Sequence, residues 1–119
     1  MDEFQFDFER LNVYQKSLNF IDEVFVVYKT LSQDYKISIG SNWVRAALSI
    51  ANNIAEGNDK DSVKERNRYF GISSDSAREC VSVLNVLKRQ DLIDDKKFSA
   101  LRKDAREITS MLRGLKKQE

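Results

Sequence analysis

Residues 11–28 read LNVYQKSLNFIDEVFVVY, and in that stretch Leu11, Tyr14, Leu18, Ile21, Phe25 and Tyr28 recur at alternating steps of three and four. That period puts the apolar side chains on one face of an α-helix and is not the alternation of a strand. It predicts a helix over residues 8–31, loosened by Ser32, Gln33 and Asp34. The pattern returns three times. Ile39, Trp43, Ala46, Ile50 and Ile54 share one side of a second helix over 39–57, where Gly57, followed by Asn58 and Asp59, reads as a C-terminal signal. Ser62 opens a third helix over 62–89; its hydroxyl is placed to accept from the Glu65 backbone and the Glu65 carboxylate to reach back, the capping-box arrangement. Its stripe is Val63, Phe70, Ala77, Cys80, Leu84 and Leu87. Asp94 or Asp95 caps a fourth helix over 95–115, striped by Phe98, Leu101, Ala105, Ile108, Leu112 and Leu115. Gly114 near its end weakens the last turn. Short connections favour neighbours of opposite direction, so the expected fold is all-α, an antiparallel up-down-up-down four-helix bundle.

Composition agrees with helices and excludes much else. The 119 residues make one expected domain, 1–119, able to bury roughly 65% of its unfolded surface. Residues 1–7 are expected to be flexible. With no proline and four glycines, the chain lacks the turn residues of a β-sandwich or barrel. Hydrophobic residues at 41% and charged residues at 33% do not describe a disordered tail. The apolar run Val24 to Tyr28 is far too short to cross a bilayer, so no membrane partner is expected. The absence of histidine excludes imidazole-based triads and metal sites. The single cysteine, Cys80, makes neither an intrachain disulfide nor a metal cage, and a reducing compartment fits it. No cofactor or metal is expected. The acidic start, with no apolar core segment, lacks the features of a signal peptide, and the expected location is cytoplasmic.

Charge is unevenly spread behind a net value of +1. Residues 1–35 hold three basic and seven acidic side chains, whereas residues 88–119 hold ten and six. The fourth helix carries Arg102, Lys103, Arg106, Arg113, Lys116 and Lys117 on its outward side, the candidate nucleic-acid-binding set. Asp104 and Glu107 dilute it, and a solvated basic face reads equally well. No base-reading motif is present.

Two helices carry more apolar surface than a bundle core needs. Beside the first stripe run Val13, Phe20, Val24, Val27 and Leu31; beside the third helix's stripe run Tyr69, Ile72, Val83 and Val86. Each double stripe spans about 160° of arc at 100° per residue. Apolar surface left in water marks an interface, so Phe20, Val24, Val27, Tyr69, Ile72, Val83 and Val86 are the expected contacts of a homo-oligomer. The other reading is a bundle that wraps itself unusually fully.

The second helix has a polar stripe, Asn42, Arg45, Ser49, Asn52 and Glu56, opposite Trp43, Ile50 and Ile54. Asn53 points instead to the apolar side, where a carboxamide needs hydrogen bonds. The stripe reads either as a structural hydrogen-bond network or as a ligand or RNA contact.

The run Arg45-Ala46-Ala47-Leu48-Ser49-Ile50-Ala51-Asn52-Asn53-Ile54-Ala55-Glu56-Gly57 resembles the RAAxSIxxNIAEG signature of the 23S rRNA intervening-sequence proteins, also called the four-helix-bundle protein family. Phe8-Glu9-Arg10-Leu11-Asn12-Val13-Tyr14-Gln15-Lys16 resembles that family's FExLxVYQKA opening, and Tyr69-Phe70-Gly71-Ile72-Ser73 with Ser76 and Glu79 resembles its third-helix pattern. The likeness is colinear over nearly the whole chain. The sequence departs from the pattern at Asn42, where glutamine is common, and at Ser73-Ser74-Asp75, where the family has Ala-x-Gly. The resemblance implies Arg45, Ser49, Asn52, Asn53, Glu56 and Gly57 as family-motif positions. It also implies a bacterial, non-enzymatic four-helix bundle assembling as a homo-oligomeric ring, commonly a homopentamer. A related branch, the accessory protein of diversity-generating retroelements, works with a reverse transcriptase and RNA.

Two functions are open at this point. One is an RNA-associated accessory protein that binds nucleic acid weakly through basic surfaces repeated around a ring. The other is a protein–protein scaffold ring, docking a partner such as a polymerase or a ribosomal component without touching nucleic acid. In that reading Phe4, Phe6 and Phe8, alternating with acids, form a docking segment. No catalytic residue is expected. Glu56 has no concave site assigned to it, Cys80 falls on the core stripe, and Gly57 is too isolated for a phosphate loop.

Overall fold

The computed structural model describes residues 4–118. It contains four long helices and, among the described residues, no strand. They are α1 (Asn12–Thr30), α2 (Ser41–Asn58), α3 (Val63–Arg89) and α4 (Asp95–Leu115). Each packs on its neighbours in sequence, and α4 closes back on α1.

Local chemistry explains the helix ends and shifts several of the expected limits. The first helix starts at Asn12, not residue 8, because Asp7–Arg10 forms a separate 3₁₀ turn. In that turn the Phe6 backbone donates to the Glu9 carboxylate at 3.0 Å. Of residues 1–7, expected to be flexible, residues 1–3 lie outside the described residues. Residues 32–38, read as a loosened connection, are largely helical. Ser32 accepts from the Tyr35 backbone at 3.3 Å and starts a turn, Gln33–Tyr35. This continues through a π-helical turn, Lys36–Gly40, into α2 with every junction residue in the right-handed helical region. Gly40 allows the close approach: a Cβ there would lie 2.8 Å from the Tyr28 ring.

Gly57 is likewise not a terminator. It sits within α2, and a Cβ on it would come within 2.9 Å of the Phe70 ring. Glycine serves here for contact between helices, not for backbone freedom. At the start of α3, Ser62 accepts from the Glu65 backbone at 3.2 Å. The reciprocal half of the expected capping box is replaced, because the Glu65 carboxylate pairs with Arg68 at 2.9 Å. That bond holds the Glu65 carboxyl below its ordinary range. Between α3 and α4 the chain closes with Leu92 donating to the Leu87 carbonyl and Asp91 to that of Lys88. This is a Schellman ending whose left-handed residue is Asp91, at φ 58°, in place of the usual glycine. Asp94 then caps α4, accepting from the Lys97 backbone at 2.7 Å.

The core corrects the reading of α1. Phe20, Val24 and Val27 are buried within this one chain and lie on the bundle axis, so they are not surface left for another subunit. In the other stripe Ile21 is buried as well, while Leu11, Tyr14, Leu18, Phe25 and Tyr28 are half-buried and pack against the core from its flank. Periodicity finds both stripes but not which one faces inward; that is set by α2 and α4 covering α1 from two sides. On α3 the outcome differs. Tyr69, Ile72 and Val83 are half-buried, and Val86 is 43% exposed.

Candidate nucleic-acid interface

Two helices of unlike composition meet at the α3/α4 edge and leave a groove between them. Its floor is Ala77, Val81 and Ala105, small or short side chains that keep the helices from filling the space. Arg78 comes from α3, and Arg102, Lys103 and Arg106 from α4. Ser82, Asn85 and Thr109 complete the lining, which holds no carboxylate. Arg102 is held in place on two sides: it donates to the Asn85 amide oxygen at 2.7 Å and its guanidinium lies 5.4 Å from the Phe98 ring centre. Arg78, Lys103 and Arg106 have no carboxylate within 4.0 Å among the described residues. The groove is therefore a concentration of positive charge with its donors turned to solvent, suited to phosphate oxygens.

The acids of α4 point elsewhere. Asp104 and Glu107 face α1, where the Lys16 ammonium lies 2.6 Å from Glu107 and 3.5 Å from Asp104. The hydrogen bond from Lys16 depresses the Glu107 carboxyl, and the same bond raises the Lys16 ammonium. Two turns nearer the start of α4 than Asp104, Lys97 pairs with Glu23 of α1 at 2.7 Å. The dilution of the basic face read along the sequence is thus reduced in space: the middle turns send Asp104 and Glu107 to one flank and Arg102 and Arg106 to the other, while Asp95 at the start of the helix pairs with Lys88 of α3.

The six expected basic positions divide. Arg102, Lys103 and Arg106 line the groove. Arg113 is exposed beyond it, Lys116 leans over Gly71 of α3, and the Lys117 backbone exchanges hydrogen bonds with the Asn67 side chain at 2.6 and 3.1 Å. Sequence reading missed Arg78, which stands alone among mixed charges on α3. The available signal was the spacing of Arg78, Ser82 and Asn85, one polar face at steps of four and three.

The polar stripe of α2 faces α3. The Arg45 guanidinium donates to Asn42 at 2.5 Å and to the Glu79 carboxylate at 3.0 Å. Ser49 and Ser76 share a hydrogen bond of 2.8 Å, and Asn53 donates to the Ser49 carbonyl and hydroxyl at 2.8 and 3.0 Å. Deeper in, Ser73 donates to the Ile50 carbonyl at 2.8 Å and the Trp43 indole to that of Cys80 at 3.2 Å. As contact partners climb along α2 from residue 42 to 57, they descend along α3 from 79 to 70. Asn52 is exposed, and Glu56 pairs at the surface with Lys60 at 3.5 Å. Most of the motif is therefore internal wiring that fixes the register of α2 on α3, with every buried polar side chain among the described residues satisfied.

The model of the 23S rRNA-intervening sequence protein family matches residues 9–114. The chain belongs to this family. A solved structure from Bacteroides thetaiotaomicron VPI-5482, described as a protein of unknown function from the S23 ribosomal protein family, is similar at 25% identity. The likeness covers 89% of this chain and 99% of that one, with a TM-score of 0.81. A search of curated proteins found no match. Within the family frame, the motif's conspicuous residues sit at the α2/α3 contact, while the basic groove lies on the next edge of the molecule. No helix among the described residues is long and apolar enough to cross a membrane.

Proposed function

We propose that this family member is a non-enzymatic, RNA-associated accessory protein that grips the phosphate backbone of structured RNA in the α3/α4 groove. The observation that carries the reading is the sorting of charge on α4, which leaves four cations around one groove with no carboxylate in its lining. The residues Arg102, Lys103 and Arg106 with Arg78 supply the contacts, and Arg113 in the last turn of α4 and Lys116 just beyond its end extend them. The family's link to 23S rRNA insertions supports RNA as the polyanion. A packing role for Cys80 fits a non-enzyme, since burial pushes its thiol up to about 12.

The fold in this proposal is an antiparallel up-down-up-down bundle, supported by the opposed numbering of the α2/α3 contacts, and the protein works in the cytoplasm. It self-associates as a ring, a pentamer by family resemblance. The surface offered for this is the α2/α3 face, where Leu48 is 42% and Val86 43% exposed beside half-buried Tyr69, Ile72 and Val83. A ring repeats the groove around its circumference, so modest affinity per groove multiplies.

The test is titration of the purified protein with structured RNA across a salt series. Binding that weakens steeply with salt is the expected result, with a slope near −0.9 for each phosphate neutralised on a duplex. No binding at low salt would leave the protein a scaffold. For the assembly, Val86→Glu is expected to reduce the mass seen by light scattering; an unchanged oligomer would place the interface elsewhere.

A further inference from the structure

Residues 4–7, ahead of the 3₁₀ turn's contact with the bundle, are exposed. Phe4 is 77% and Phe6 67% exposed, unusual for large aromatic rings. The Phe6 ring stacks edge-on against Phe8, which stacks edge-on against Tyr14, so the segment leaves the bundle along a short aromatic train. Phe6 is extended, at φ −73° and ψ 152°. In an extended chain Phe4 and Phe6 fall on one side and Gln5 on the other. Residues 1–9 hold four acids, Asp2, Glu3, Asp7 and Glu9, and no basic side chain. The segment therefore combines exposed aromatic rings with negative charge.

The α3/α4 groove is its complement: an apolar floor of Ala77, Val81 and Ala105 beneath Arg78, Arg102, Lys103 and Arg106. Within one molecule the two lie apart. The 3₁₀ turn that anchors the segment packs on α1 and α2, whereas the groove lies on the opposite edge.

We infer that the acidic aromatic segment of one copy docks in the basic α3/α4 groove of a neighbouring copy, head to tail. Donor and acceptor lie on opposite edges of the same chain, so the contact is heterologous and propagates around a closed ring or along an open file. The neighbour's carboxylates then occupy the positions that RNA phosphates would take, and RNA must displace the segment to bind. The inference needs the groove to receive anions, as in the proposed function, but it does not need RNA to be the natural ligand.

Directed cross-linking tests it, without RNA at first. Full-length Phe4→Cys protein is mixed with Ser82→Cys protein under mild oxidation; Ser82 lines the groove, and the native Cys80 is buried. The expected product is a band of about twice the 13.8 kDa chain, absent when Ser82→Cys carries Arg102→Glu and Arg106→Glu as well. Equal linkage to an Asn19→Cys partner, exposed on α1, would overturn the inference. So would linkage that survives the two charge reversals, or no linkage at all. Adding structured RNA to the productive mixture should then suppress the band. Linkage that forms but resists RNA would remove the competition while leaving the docking. RNA binding without any linkage would remove the docking while leaving the proposed function.

Discussion

The two flanks of α4 are built from one stretch of sequence and behave as different materials. Toward α1, every acid of the middle turns meets a lysine: Lys16 bridges Asp104 and Glu107, and Lys97 reaches Glu23. Toward α3, three basic side chains share a groove with Arg78, and the lining offers them no carboxylate. The first flank is neutralised and serves cohesion. The second is left charged, which costs self-repulsion in the free protein and is repaid only when an anion arrives. Charge counted along a helix says little about its surface; what matters is which neighbour stands on each side.

The largest effect should come from breaking the charged flank. Arg78→Glu combined with Arg106→Glu is expected to weaken RNA binding by about a hundredfold at low salt and to flatten the salt slope. Melting temperature should barely move, because neither side chain has an ion-pair partner among the described residues to lose. Unchanged affinity would separate the groove from nucleic acid altogether.

A smaller change sharpens the same flank. Asn85→Ala removes the bond that holds Arg102 without altering charge. Affinity should fall by only a few-fold, the scale of about 1 kcal/mol for one orienting hydrogen bond, while the salt slope stays that of the parent protein. A changed slope would mean that Arg102 had left the phosphate contact, not merely loosened in it.

The smallest effect belongs to the paired flank. Lys16→Met should leave RNA binding intact and cost at most about 1 kcal/mol of stability, as exposed pairs do. Its pH dependence has a definite sign. The Glu107 carboxyl is depressed by Lys16, so its contribution is present above the ordinary value of 4.5 and lost as pH falls below it. The Lys16 ammonium is raised, so its contribution holds below 10.5 and is lost above. Melting curves of parent and variant should converge outside that window; a constant difference at every pH would assign the loss to packing of the Lys16 stem.

Much of this architecture is legible in the chain itself. Each apolar stripe marks a helix, and Ser62 and Asp94 cap as their chemistry requires. What is not legible is orientation. Both stripes of α1 are apolar, and only the placement of α2 and α4 decides that Phe20 and Val24 face the axis while Tyr14 and Phe25 lie at the flank. The helical lead-in to α2 is equally hidden, because Ser32 and Gly40 look like loop residues until Tyr28 is seen packed where a Cβ would stand. At the candidate site, Arg102, Lys103 and Arg106 are found from the sequence as part of a basic helix. Arg78 and the separation of acids from bases are not, since both depend on which helix stands beside which.

The π-helical turn at Lys36–Gly40 makes the chain's length locally negotiable. Such a turn is an α-helix with one residue too many, held open by its surroundings. Deleting a single residue there would let Gln33–Asn58 close into one regular rod, moving the correction upstream to Ser32 and leaving Arg45 and Ser49 in register with α3. A deletion inside α2 ahead of them would rotate those two side chains by about 100° away from their partners. Relatives that differ by one residue before the motif can therefore keep the same wiring, and the lineage has a place to gain or lose a residue without rewriting its core.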